Sequence, residues 1–128
     1  MSLKPATINF TIGNGLAIYK GSNWNVSVTV EEDGKPFDLT GYRGKCSIKE
    51  YTGDEIPILE PLIEIGDDGN FNIILSSDET ATLKAEGHNH YEVTTYQYDV
   101  YFIDESGEYF RALQGFVDVS PTVTEEND

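Results

Sequence analysis

The sequence has little cysteine and no long apolar run, the features on which disulfide-bonded, thiolate-metal and membrane-spanning proteins depend. Cys46 is the only cysteine, so an intrachain disulfide and a site built on several thiolates are both excluded. No apolar run reaches the roughly eighteen residues that a membrane-spanning helix needs. The opening residues, MSLKPATINF, also lack the apolar core of a signal peptide. We therefore expect a chain made in the cytoplasm and used there or packaged from it.

Basic residues are scarce as well. Eight Lys and Arg stand against 23 Asp and Glu, which gives a formal net charge of -15. The phosphate backbone of nucleic acids and anionic membrane surfaces repel so acidic a chain. We therefore expect neither a nucleic-acid nor a membrane partner.

Strand-forming residues are abundant. Eight Tyr and six Phe stand against a single Met, which is typical of sheets rather than helix bundles. The 128 residues fit one domain of roughly 100 to 150 residues. We predict a single β-sandwich domain over residues 1–124 and an acidic tail over residues 125–128 that has nothing to bury.

Alternation of apolar and polar residues marks several strands with one buried face. In WNVSVTV, Trp24 and every second residue after it are apolar, while the residues between them are polar. FNIILS, YRGKCSIKEY and YEVTTYQYDVYFI alternate in the same way. The predicted inward-facing residues of these three strands are Cys46, Ile48, Phe71, Ile73, Leu75, Tyr96, Tyr98, Val100 and Phe102.

Turn residues separate these strands. Asp33-Gly34 predicts a tight turn, and Gly41 predicts a bend. Leu39, which lies between them, is predicted to be a single buried apolar side chain. The residues DESGE at 104–108 predict a hairpin, and Gly115 lies where the last alternation shifts, as a β-bulge would produce. Two prolines within residues 56–65 indicate an edge segment.

One short helix is predicted. Ser76 and Glu79 have the spacing of a capping box, Leu83 continues an apolar pattern, and Gly87 is positioned to end a helix of two or three turns. Strands at this spacing, with one helix crossing between sheets, predict an all-β, two-sheet antiparallel sandwich.

No motif of residues predicts catalysis. His88 and His90 could ligate a metal or simply belong to a polar loop. Asp67 and Asp68 lack the remaining ligands of a calcium loop, so a hairpin turn is expected there. The acidic residues Asp99, Asp104, Glu105 and Glu108 could supply a carboxylate pair, but spacing in sequence does not fix their separation in space. Because no phosphate-binding loop or nucleophile elbow is present, we predict a protein without enzymatic activity or cofactor.

Exposed aromatic residues are the more informative candidates. Tyrosine at a surface can pack into a protein interface or stack on a sugar ring. Tyrosines are predicted on the outer phase of strands or at strand ends at Tyr42, Tyr51, Tyr91, Tyr101 and Tyr109. Arg111 has two interpretations, either a pair with Asp99 or a surface charge.

The order of short motifs resembles a family of immunoglobulin-like β-sandwich proteins of tailed bacteriophages and prophages, which includes the N-terminal domains of baseplate upper proteins. The resemblance covers most of the chain from Trp24 onward. It is carried by Asp38, Leu39, Thr40, Gly41 and Tyr42; Asp68, Gly69 and Phe71; Glu79, Thr80 and Leu83; Tyr96, Tyr98, Asp99 and Val100; Gly107, Arg111, Leu113 and Gly115; and Val117, Val119, Pro121, Val123 and Thr124.

The resemblance implies an immunoglobulin-like sandwich and a structural role in the phage particle. The expected location is the virion, assembled in the cytoplasm of a bacterial host, as an accessory protein of the baseplate, tail, neck or capsid. The expected partners are other virion proteins and further copies of the chain in a symmetric array. Predicted contact residues are Tyr42, Tyr101 and Tyr109, together with Glu125, Glu126 and Asp128 of the tail. A carbohydrate-binding or host-adhesion module is the alternative function, and a metal-dependent enzyme is a third.

Overall fold

The computed structural model describes residues 5–51, 53, 56–89 and 92–121. Within them the chain forms ten strands and one helix. In order these are β1 (Ala6–Thr7), β2 (Ile18–Tyr19), β3 (Trp24–Thr29), β4 (Glu31–Glu32), β5 (Lys35–Pro36), β6 (Arg43–Lys49), β7 (Leu62–Ile65), β8 (Asn70–Leu75), α1 (Ser77–Ala81), β9 (Thr94–Ile103) and β10 (Tyr109–Ser120). The prediction of an all-β chain with one short helix is confirmed.

The larger sheet is built around the hairpin of β9 and β10. Its strand order is β1-β10-β9-β6, and β2 also pairs with β10. The pairs β10–β9 and β9–β6 are antiparallel, whereas β1 and β2 run parallel to β10. The smaller antiparallel sheet has the order β3-β8-β7. The hairpin of β4 and β5 turns at Asp33 and Gly34, both of which have positive φ angles.

The inward faces of the two sheets form one hydrophobic core. Phe10 packs between Trp24 of β3 and Tyr98 of β9, with ring centroids 5.4 and 5.0 Å away. Phe71 of β8 meets Phe102 of β9 edge to face at 5.1 Å. The inward-facing residues predicted in β6, β8 and β9 are all buried, and so is Leu39. In WNVSVTV, Trp24 and Val26 are buried, whereas Val28 and Val30 are half-buried against the core. Burial of these side chains is the main stabilising contribution to a domain of this kind.

The helix is shorter than the sequence predicts. The capping box is present: the Ser76 side chain accepts a hydrogen bond from the Glu79 amide, and the Glu79 carboxylate accepts one from the Ser76 amide. The helix then ends at Ala81, with Thr82 as its C-cap, and Gly87 does not terminate it. Leu83 is fully buried, so the chain leaves the helical path in order to bring this side chain into the core.

The bulge near the end of the chain is also not where the sequence places it. The register of β10 against β9 shifts between Arg111 and Leu113, whereas Gly115 pairs regularly with Tyr98. Glycine is needed at 115 for another reason. A Cβ atom there would lie 2.3 Å from the Ile8 carbonyl oxygen, so Gly115 permits the close approach of the N-terminal segment.

Candidate functional site

The outer face of the larger sheet carries a broad polar surface, which we call the polar face. It is formed by the outward side chains of β6, β9 and β10, which lie next to one another. In its central row, Ser47 of β6 is opposite Asp99 of β9, and Asp99 is opposite Gln114 of β10. Because three paired strands carry these side chains, their spacing is fixed by the backbone ladder.

The centre of the polar face is a cleft of about 360 Å³, which we call the Asp99 cleft. Its lining combines carboxylate, amide, hydroxyl and cationic groups, so it offers both donors and acceptors of hydrogen bonds. The lining residues are Thr7, Ser47, Lys49, Gln97, Tyr98, Asp99, Arg111, Gln114 and Gly115.

A second concavity of about 350 Å³ adjoins the Asp99 cleft. The two share Ser47, Lys49, Asp99 and Arg111 as lining residues. The second also includes Lys45 and two tyrosines, Tyr101 and Tyr109. The rings of these tyrosines meet edge to face with centroids 6.2 Å apart. The prediction that Tyr101 and Tyr109 lie on an outer surface is therefore confirmed, and the fold brings the two together.

Arg111 connects the two concavities. Its Nε and Nη2 atoms donate hydrogen bonds to the Tyr101 hydroxyl at 2.9 and 2.7 Å. Its Nη1 atom donates to the Gln114 side-chain oxygen at 3.3 Å. The side chain is exposed and forms no ion pair with Asp99. Of the two interpretations of Arg111, the surface charge is the correct one, with a tyrosine rather than a carboxylate as its partner.

Asp99 is a partly buried carboxylate at the centre of the polar face. Its side chain is half-buried, yet among the described residues its carboxylate accepts no hydrogen bond and forms no ion pair. Burial raises the pKa of Asp99 above its ordinary value, and the charges of Arg111 and Lys49 offset only part of that rise. A carboxylate that is partly shielded from water and has no protein donor can accept hydrogen bonds from a ligand.

The polar face also concentrates the positive charge of an acidic chain. It carries four of the eight basic residues of the sequence, and all four project outward from β6 and β10. These are Arg43, Lys45, Lys49 and Arg111. The local potential of this face therefore differs from that of the protein as a whole.

A different surface, which we call the apolar edge, lies on the side of the sandwich where β6 and β7 form the edges of the larger and smaller sheets. The Ile58 amide donates a hydrogen bond to the Ile48 carbonyl of β6. Tyr51, Ile56, Ile58 and Leu62 are 67, 81, 41 and 60% exposed. Leu62 belongs to β7, which pairs with β8 on one side and forms an edge of its sheet. The prediction that residues 56–65 form an edge segment is confirmed. Exposed apolar side chains grouped in one stretch of chain are typical of contact surfaces.

Tyr42 does not lie where the sequence predicts. It is half-buried and packs against the hydrophobic core, with ring contacts to Phe37, Phe102 and Phe110 at 5.9, 6.4 and 6.3 Å. It precedes β6 immediately after the bend at Gly41, which turns its ring inward. Its assignment as an exposed tyrosine is therefore wrong.

Two acidic candidates from the sequence, Asp68 and Asp104, lie in turns that connect strands. Asp68 has a positive φ angle in the turn between β7 and β8, so the hairpin interpretation of that stretch is confirmed. The Asp104 carboxylate accepts hydrogen bonds from Ser106 and Glu108 and orders the turn before β10. These bonds lower the pKa of Asp104.

The remaining predicted site residues fall outside the part of the chain that the structure describes. They are His90, Tyr91, Glu125, Glu126 and Asp128. His88 is exposed. Within the described ranges, no group of three or more His, Cys, Asp or Glu side chains could hold a metal ion.

The polar residues of the Asp99 cleft that sequence reasoning missed are Thr7, Ser47, Lys49, Gln97 and Gln114. Each stands on the outer phase of a predicted strand, which is the only signal the sequence offers. The pairing of β6 with β9, of β9 with β10 and of β10 with β1 decides that they converge, and that pairing cannot be read from alternation alone.

The described residues contain no helix long and apolar enough to cross a membrane. No protein-family model matches the chain, and no curated protein matches it either.

Proposed function

We propose that this chain is a non-enzymatic structural protein of a tailed phage or prophage particle, with an immunoglobulin-like sandwich that docks onto other virion proteins. The order of motifs from Trp24 onward is the basis of the phage assignment. It is supported by the positions of the motif residues in the fold. Leu39, Leu113, Val117 and Val119 are core residues, and Gly41 adopts a positive φ angle at a bend.

Gly69 supports the same assignment. It has a φ angle of 77°, and a Cβ atom at this position would lie 2.5 Å from the Val30 carbonyl oxygen. Only glycine fits there without displacement of the neighbouring chain. The residues that carry the resemblance are thus ones on which a sandwich of this kind depends.

The observation that favours docking is the apolar edge. Leu62 and Ile58 are large aliphatic side chains, 60 and 41% exposed, and water contact with such groups is unfavourable. An edge strand also offers unpaired backbone groups to a neighbouring chain. We assign the contact with the particle to this surface. The proposed partners are other virion proteins and further copies of the chain arranged by the symmetry of the particle.

The test begins with purified particles of the phage or prophage that carries the gene. Mass spectrometry should detect the chain in stoichiometric amounts, and cryo-electron density should contain a sandwich-sized domain at a repeated position. Particles from a strain that lacks the gene should lose that density. If intact wild-type particles contain no copy of the chain, the proposed function is wrong.

The contact surface can be tested in the same particles. Leu62→Lys places a charge on the apolar edge and should abolish incorporation, because the charge would have to lose its water at a contact. Asn25→Lys is the matched control, since Asn25 is exposed on the outer side of the same sheet and a charge there should be tolerated. Equal incorporation of both variants would contradict the assignment of the apolar edge.

A further inference from the structure

We infer that the Asp99 cleft, together with the concavity beside it, is a binding site for an oligosaccharide. The site lies on the outer face of the larger sheet, whereas the proposed particle contact lies on the side of the sandwich, at the edges formed by β6 and β7. The inference does not depend on the phage assignment, and it can be tested on the isolated protein.

The lining matches the chemistry of sugar hydroxyl groups. Each hydroxyl can donate one hydrogen bond and accept others, so a site for it needs both kinds of partner close together. Asp99 supplies an acceptor, Lys49 and Arg111 supply donors, and Gln97 and Gln114 supply both. These groups stand on neighbouring paired strands, so the backbone positions that carry them are set before any ligand binds.

Asp99 provides the cleft with a hydrogen-bond acceptor that is available to a ligand. Its half-buried carboxylate lacks a hydrogen-bond donor among the described residues, although burial has already removed part of its water. A ligand hydroxyl that donates to this carboxylate would satisfy it. Arg111 is largely committed to Tyr101 and Gln114, and the fixed position of its guanidinium reduces the ordering cost of binding.

The tyrosines extend the site. Tyr109 is 56% exposed and stands at the end of the polar face, in contact with Tyr101. An exposed aromatic ring can cover the apolar C–H face of a sugar while its hydroxyl stays in water. The two concavities, of about 360 and 350 Å³, share four residues. Each is at the lower end of the range of about 300 to 1,000 Å³ for small-ligand sites, so the pair can accommodate more than one sugar unit.

Two features distinguish this surface from a protein contact. Its centre is a concave polar cleft with a carboxylate that no protein donor occupies, whereas the core of a protein interface is depleted in charged residues. Three of the four large aliphatic side chains that are exposed among the described residues, Ile56, Ile58 and Leu62, lie at the apolar edge instead. The basic residues Lys45 and Lys49 would also tolerate sugars that carry carboxylate groups, which the rest of the acidic surface would repel.

The experiment is a glycan array of neutral and uronic-acid-containing bacterial-surface oligosaccharides, probed with the labelled full-length chain. Isothermal titration of the best-bound oligosaccharide then gives an affinity. We expect binding of at least one oligosaccharide class. Asp99→Asn and Tyr109→Ala should each weaken it at least tenfold, with unchanged Trp24 fluorescence as the check that both variants are folded.

Tyr51→Ala is the matched control, because Tyr51 is a strongly exposed tyrosine outside the polar face; it should bind like the wild type. A blank array would overturn the inference, as would binding that Asp99→Asn and Tyr109→Ala leave unchanged. A blank array combined with loss of particle incorporation in Tyr109→Ala would make the polar face a protein contact instead. Particle incorporation of the wild type is measured separately, so failure of the sugar site leaves the proposed function standing.

Discussion

Cys46 illustrates how a single residue acquires its properties from its position on a strand. It faces inward from β6 and is buried. Burial raises the pKa of the Cys46 thiol, and the nearby charge of Asp99 raises it further. Because the thiolate is the reactive species, a thiol that is both inaccessible and protonated is inert.

We therefore expect Cys46 to react with a disulfide reagent such as dithionitrobenzoate only when the chain opens. At pH 8 the native protein should react at least roughly a thousandfold more slowly than the protein in guanidinium chloride, because exposing a core strand costs several kcal/mol. The absorbance of the released thiolate measures both rates. Rapid and complete reaction of the native protein would show that Cys46 is not in the core.

Asp99 and Asp104 are a pair of aspartates with opposite effects on stability. The pKa of Asp99 is raised by burial, so the native state holds this proton more tightly than the unfolded chain does. Stability is therefore lost as pH rises from the ordinary value of 3.8 through the raised pKa of Asp99. Asp99→Asn should raise the urea midpoint at pH 7, and the gain should shrink toward pH 3.

Asp104 provides the control of opposite sign. Its pKa is lowered by hydrogen bonds from Ser106 and Glu108, so its contribution to stability is present above the ordinary value and is lost as pH falls through the lowered pKa. Asp104→Asn should lower the urea midpoint at pH 7, and its deficit should shrink in acid. Urea unfolding of both variants at pH 7 and pH 3 measures this. Shifts of the same sign would contradict the electrostatic assignment.

At the scale of elements, the packing of the N-terminal segment around Ile8 and Asn9 depends on Gly115 of β10. Ile8 donates its amide to the Gln114 carbonyl at 3.0 Å, and the Ile8 carbonyl accepts a hydrogen bond from the Tyr98 hydroxyl at 2.5 Å. Asn9 accepts from the Phe116 amide through its side chain at 3.0 Å. All of these contacts require the close approach that Gly115 allows.

Gly115→Ala should therefore destabilise the protein by about 1–3 kcal/mol, the usual cost of inserting a methyl group into a packed site. The displaced group would be the Ile8 carbonyl, only 2.3 Å from the new Cβ atom. Urea unfolding gives the change in free energy, and amide exchange should show faster exchange at Ile8 and Phe10. Gly13→Ala is the control, because its nearest neighbouring atom lies 3.7 Å away. Equal stability of the two variants would contradict this account.

The elements also show what periodicity can and cannot predict. Alternation located the inward residues of β3, β6, β8 and β9, because a pleated strand with one buried face leaves no other choice. The capping box located the start of α1 for a similarly local reason. The end of α1 was missed because burial of Leu83, a tertiary contact, ends the helix early. The bulge was placed at Gly115 because glycine can serve either a bulge or a close approach, and only the position of Ile8 distinguishes them.

At the scale of the whole molecule, a single core unites two sheets whose outer surfaces differ. Trp24 of the smaller sheet and Tyr98 of the larger both contact Phe10, so neither sheet can bury its inner face alone. The outer surfaces do not have to pack against another sheet. Their contents, the polar face and the apolar edge, depend on which strands become neighbours. For this reason the outward positions of Tyr101 and Tyr109 could be predicted from the sequence, but the cleft beside them could not.

Charge is the other property that belongs to the whole molecule. A net charge of -15 opposes compaction through self-repulsion, and among the described residues the ion pairs include one between exposed side chains, Lys84 and Glu86, at 3.0 Å. Exposed pairs of this kind contribute little to stability. Salt should therefore remove more repulsion than attraction.

We expect the thermal midpoint to rise by several degrees between about 0.01 and 0.15 M NaCl, since the screening length falls from roughly 30 to 8 Å over this range. Circular dichroism during heating at pH 7 measures the midpoint. A variant with Glu31→Gln and Glu64→Gln, both exposed positions, carries less repulsion and should gain less from salt. A midpoint that falls with added salt would mean that specific attractions, such as those among the cations and Asp99 on the polar face, outweigh the repulsion of the acidic surface.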